Sequence, residues 1–208
     1  MLSATPPLTS TSFNPPELST QGTIDRTLEV RRLRKNLMTL VLTSRSVVHS
    51  GNASLIENLA LLAGFRSEEL VILPLRGFGE GFHVVSAPTS VWRTDYELLL
   101  DLKHKAAEAG TKVILVPPTY IQREPRLGNA RLVADAFHVS ITGEDRMSVF
   151  LHLVENGGYS TFQDCAMAVV NSEAPYSCVL SMAGLGLIDI DLGKPITPNT
   201  RVDLPEGR

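Results

Sequence analysis

A chain of 208 residues with 43% apolar and 20% charged residues is long enough to bury a sizeable core and lies well away from disordered or collagen-like compositions. Its net charge of −3 excludes a protein-wide electrostatic footprint for nucleic acid, so any such contact has to be local. The longest apolar runs, Leu37–Leu42 and Val113–Pro117, fall far short of the roughly 18 residues of a membrane span, and no leader pattern opens the chain; the expectation is a cytoplasmic protein with no membrane partner.

In chain order, residues 1–22 hold Ser, Thr and two Pro-Pro pairs and are expected to form an unstructured tail. The segment Arg26–Leu42 opens with charges and closes on LMTLVLT. It reads as irregular or helical to about Lys35 and as a strand after that. Asn52 or Ser54 is placed to cap a helix whose Leu55, Leu59 and Leu62 recur at three- and four-residue spacing, with Gly64 as the stop. Leu70–Leu75 and Phe82–Ser86 read as strands joined by the tight GFGEGF connection, a hairpin. Thr94 and Glu97 have capping-box spacing for a helix ending at Gly110, followed by a strand over Lys112–Val116 stopped by Pro117-Pro118. Strand, helix, strand in that order implies a crossover and some parallel pairing. A helix over Asn129–Phe137 closes an α/β domain over residues 23–137.

Residues 140–208 have a different rhythm. Helices are expected over Asp145–Asn156, Thr161–Val169 and Glu173–Ala183, the last capped by Ser172, followed by strands over Leu187–Leu192 and Thr200–Leu204. Three short helices and a hairpin follow the winged-helix order. Its third helix would direct Glu173, Tyr176, Ser177 and Ser181 outward, none of them cationic.

Charge is unevenly distributed. Arg26, Arg31, Arg32, Arg34, Lys35 and Arg45 stand against Asp25 and Glu29 between Thr23 and His49, whereas four basic and nine acidic residues occupy Ser140–Arg208. Such asymmetry points to a partner of opposite charge at the basic end. Cys165 and Cys178, separated by twelve residues, lack metal or redox spacing and read as buried thiols. His49, His83, His104, His138 and His152 form no ligand pair at helical spacing. Gly77, Gly79 and Gly81 lack the strand-to-helix setting of a dinucleotide fingerprint and read as a turn.

Two stretches, NASLIENLALLAGFRSEELVILPL and AAEAGTKVILVPPTYIQREPRLGNARLV, together with the winged-helix-like end, resemble the TnsA-type endonucleases of heteromeric transposases, in the PD-(D/E)xK restriction-endonuclease-like superfamily. The resemblance implies a mixed sheet flanked by helices, then a winged-helix domain. It also implies a metal site in which a helix Glu, an Asp, a further acid and a Lys position the attacking water. Glu57 matches the helix Glu and Ser54 the Ser before it. The strand that should carry the acid and the Lys is best matched by His83-Val84-Val85-Ser86-Ala87-Pro88, which puts Ala87 at the lysine position and leaves the site without its ammonium group. Asp101-Leu102-Lys103 has acid-x-Lys spacing, with Asp95 or Glu97 as a stand-in acid, but lies in a segment with helical periodicity, where residues two apart face different ways.

The resulting expectation is a DNA-associated, nuclease-like, catalytically degenerate protein of a mobile-element or DNA-processing complex. It would need no cofactor, magnesium entering only with an intact site. Arg31, Arg32, Arg34, Lys35, Arg45, Lys194 and Arg201 are the candidate DNA contacts, and the acidic C-terminal domain is the candidate protein-docking unit. Two alternatives stay open: an active metal-dependent endonuclease using Glu57, Asp95, Asp101 and Lys103, and an interaction protein without a nucleic-acid role.

Overall fold

Residues 20–205 are described in the computed structural model, with side chains from Asp25 onward; the unstructured tail expected over residues 1–22 lies, up to residue 19, outside them. The first element, α1, is a single helix over Thr20–Leu42. The strand expected after Lys35 is therefore corrected to helix. Val30, Leu33, Leu37, Leu40 and Val41 are all buried and recur at helical spacing, so the apolar run forms one stripe of a helix that packs onto a sheet.

That sheet has four strands in the order β1 (Val47–His49), β2 (Val71–Gly77), β3 (Glu80–Ser86), β4 (Val113–Leu115). The first three pair antiparallel, and β4 runs parallel to β3 after a helical crossover. The expected hairpin is β2–β3, closed by Phe78-Gly79, both with positive φ (53° and 83°). A two-residue loop of that hand follows the strand twist, and Gly79 supplies the second position without steric cost.

Helices cover both faces. On one side lie α2 (Ser54–Leu62), α3 (Thr89–Thr94) and α4 (Tyr96–Glu108), whose Ile56, Val91, Leu99 and Leu102 meet Ile72 and Val85. On the other lie α1, the single turn α5 (Pro118–Ile121) and α6 (Arg126–Ala136), whose Leu33, Ile121 and Leu127 meet Leu73 and Val84. The alternation of β2 and β3 side chains between the two clusters is the period-2 signature of a strand buried on both faces. The capping box expected at Thr94 does not form. Thr94 ends α3 and its hydroxyl donates to the Ser90 carbonyl and the Asp95 carboxylate, while Asp95 occupies the N-cap of α4 without a side-chain cap.

The C-terminal unit runs α7 (Gly143–Glu155), β5 (Tyr159–Thr161), α8 (Phe162–Met167), α9 (Pro175–Gly184), β6 (Asp189–Ile190), β7 (Arg201–Asp203), with a small antiparallel sheet in the order β5-β7-β6. The strand β5 was not expected from the sequence. Thr142 and Asp145 form the capping box that starts α7. The two halves share α6: Leu127 and Ala130 belong to the sheet core, Val133 and Ala136 to the core around α9. At Gly184 a Cβ would lie 2.5 Å from the Phe137 ring and 2.7 Å from Val133, so the glycine permits the close approach of α9 to α6. Gly184→Ala is expected to cost about 1–3 kcal/mol through overpacking, read as a lower urea midpoint at unchanged slope.

Candidate nucleic-acid interface

With its apolar stripe turned to the sheet, α1 exposes Arg31, Arg32, Arg34 and Lys35. Among the described residues none of these four has a carboxylate within ion-pair distance. Arg31 and Lys35 stand one turn apart on the outward face, with Arg32 beside them. Arg34 lies on the flank toward α2, where it lines a small cavity of about 20 Å³ together with Glu57, Ala60, Phe65 and Ile72.

The layer beside α1 is also basic. Arg131 of α6 donates to the Asn36 side chain across the α1–α6 contact (3.0 Å), one helical turn from Arg32. Arg123 is exposed in the α5–α6 turn, and the Arg126 guanidinium sits over the Tyr120 ring at 5.2 Å from its centroid. The acids here are partly committed to backbone. Glu124 accepts from the Gly128 N–H (2.8 Å), and Glu29 accepts from the N–H and hydroxyl of Thr89 (3.0 and 3.2 Å). Asp25 and Asp135 remain exposed.

Of the four catalytic candidates, Glu57 lies on α2, Asp101 and Lys103 on α4, and Asp95 at the N-cap of α4. Glu57 is exposed on α2; Asp95 accepts the Thr94 hydroxyl hydrogen at the start of α4; Asp101 pairs with Lys105 one turn on (2.7 Å); Lys103 is exposed on α4. Asp101 and Lys103 thus stand two apart on a helix and do not share a face. Among the described residues no group of three His, Cys, Asp or Glu side chains could hold a metal ion. Ala87 follows β3 directly and is fully buried against the α2–α4 layer, next to Ser86, whose buried hydroxyl has no partner. Glu29 of α1, counted above only for its charge, accepts from Thr89, two residues beyond Ala87. Its signal was position alone, beside the core stripe of Val30 and Leu33.

The remaining cations make specific contacts. Arg45 joins the two halves, donating to the Ala183 and Ile188 carbonyls and pairing with Asp189 of β6. Lys194 is exposed and pairs with Asp191 (3.4 Å); the Asp191 carboxyl is held below its ordinary range chiefly by the Gly193 N–H. Arg201 pairs with Asp203 (2.7 Å) and stacks over Tyr159, and the Asp203 hydrogen bond raises its pKa. Asn129 of α6 donates to the Leu192 and Lys194 carbonyls (2.9 and 2.6 Å), fixing the turn that carries Lys194 beside α6.

The helix α9 has little to offer a groove. Cys178–Ala183 are buried without interruption, more than one full turn, so no face of that stretch is open to solvent, and Ser181, expected to point outward, is buried. Both thiols are fully buried; burial, with the charge of Asp164, pushes Cys165 up to about 11, and burial with Asp145 raises Cys178, which makes both poor nucleophiles. Among the described residues no helix is long and apolar enough to cross a membrane. No protein-family model matches the chain, and comparison with curated proteins and with solved structures likewise gives no match.

Proposed function

We propose that the protein associates with DNA through the outward face of α1, on a nuclease-like framework that has lost its catalytic set. The observation that carries the reading is the cluster Arg31, Arg32 and Lys35, exposed together and free of carboxylate partners among the described residues. Cations held in this way are available to displace condensed counterions from phosphates. Further support comes from the architecture, a mixed sheet between helical layers followed by a unit in winged-helix order. A degenerate site is supported by the buried methyl of Ala87, which stands where the resemblance places the lysine. Within this reading α1 and not α9 makes the DNA contact, because α6 and α8 already cover α9. A place in a mobile-element or DNA-processing complex belongs to the same proposal.

The test is duplex binding by fluorescence anisotropy across a salt series. Replacing Arg31, Arg32 and Lys35 together by alanine is expected to lower the slope of log affinity against log salt by about 2 to 3. Binding without a salt slope, or a slope that the triple variant leaves unchanged, overturns the α1 assignment. Plasmid cleavage with magnesium that is abolished by Glu57→Ala would overturn the degenerate reading.

A second reading, protein docking through the C-terminal unit, is favoured by Met147, Leu151 and Val154, which form an exposed apolar line along α7. In that case the triple variant leaves partner capture intact and Leu151→Asp removes it.

A further inference from the structure

Beyond α1, we propose that Tyr120 is a stacking platform for an unpaired base of single-stranded DNA, continuing the phosphate track of Arg31, Arg32 and Lys35 across α5 and α6. This rests on the reading of α1 as a DNA contact.

The physical case starts from the single turn α5. Pro118 and Ile121 are buried in the layer and Pro117-Pro118 fixes the backbone entering the turn, so Thr119 and Tyr120 are held outward on a rigid support. Tyr120 is 51% exposed. The Arg126 guanidinium sits over the ring at 5.2 Å, a cation–π geometry. A pre-positioned aromatic ring loses little conformational freedom on binding.

Its neighbours are cations that reach phosphates. Arg123 is exposed in the following turn, and Arg131 donates to Asn36, one turn along α1 from Arg32. Glu124, four residues on from Tyr120, accepts from the Gly128 N–H through one carboxylate oxygen. An exposed aromatic residue among cations is the combination that binds single strands, where each base offers a π-face and the backbone follows the charge. A paired duplex keeps its bases stacked and cannot use the ring. The structure therefore assigns the α1 cations to any DNA backbone and Tyr120 to an unpaired stretch, such as a displaced strand or an overhang.

The experiment compares oligothymidylate and a duplex of equal length by anisotropy at two salt concentrations. Tyr120→Ala and Tyr120→Leu are each expected to weaken oligothymidylate binding about five- to a hundredfold, with Tyr120→Phe matching the native protein and duplex affinity changing less than about twofold. Tyr120→Leu keeps an apolar body on the turn and so separates stacking from packing. Unchanged oligothymidylate affinity in Tyr120→Ala, while the α1 triple variant still loses its salt slope, overturns the platform and leaves the α1 reading standing. Absence of salt-dependent binding to either probe removes the α1 reading and the platform with it.

Discussion

Replacing Asp145 by alanine is expected to lower the unfolding free energy at neutral pH by about 3 kcal/mol. The carboxylate is fully buried and bonded on both oxygens. One oxygen accepts from the N–H groups of Val170 and Asn171 (3.1 and 2.8 Å), the other from the Thr142 hydroxyl and N–H (2.7 and 3.4 Å). It thus ties the start of α7 to the link between α8 and α9. Alanine removes from a buried position the acceptor that four hydrogen bonds share, which is the costly kind of loss. Asp145→Asn keeps an acceptor for Val170 and Asn171 but presents an amide where Thr142 donates, and should cost less than alanine.

The pH dependence has a definite sign. Burial works to raise the Asp145 pKa, but the bonds from Asn171, Thr142 and Val170 outweigh it and leave the group below its ordinary 3.8. A depressed folded pKa means that the carboxylate contributes stability above the unfolded value and loses it as pH falls through the folded one. The stability gap between the native protein and Asp145→Asn should therefore be constant near neutrality and narrow below about pH 3.8. Urea titrations at a series of pH values measure it. A gap that widens on acidification would contradict the network.

Much of this framework was legible in the sequence, and the misses have physical causes. The β2–β3 hairpin, α4 and the three helices α7 to α9 were readable because their apolar positions recur over lengths that one period explains. The end of α1 was not, because LMTLVLT is apolar almost throughout, so the strand and helix periods fit it equally; the deciding partners, Leu73 and Val84, lie far along the chain. The strands β1 and β5 have three residues each, too short to alternate, and are defined by pairing with β2 and β7. Thr94 was misread because Glu97 stands at capping-box spacing, while the turn of α3 that engages the Thr94 hydroxyl leaves no local mark. The basic face of α1 was legible as composition, but its continuation through Arg131 and the rigid Tyr120 turn exists only once α1, α5 and α6 are packed side by side.

The largest effect is expected at Ala87, where the resemblance to nucleases would place a lysine. If this position were an open catalytic edge, Ala87→Lys would be tolerated there. Instead the residue is fully buried in the apolar cluster that holds Ile56, Val85, Val91 and Leu99, where four methylenes overpack the layer and the ammonium loses its water. Overpacking of about 1–3 kcal/mol adds to the several kcal/mol of an unpaired buried charge, a sum near 5 kcal/mol. That is a large part of the roughly 5–15 kcal/mol that holds an ordinary domain folded. Ala87→Lys should therefore be largely unfolded, or melt at least about 10 °C lower by circular dichroism, whereas Ala87→Ser loses only about 1–2 kcal/mol. A lysine variant with native melting behaviour and metal-dependent cleavage of DNA would show that this edge is open, and that one side chain separates the protein from catalysis.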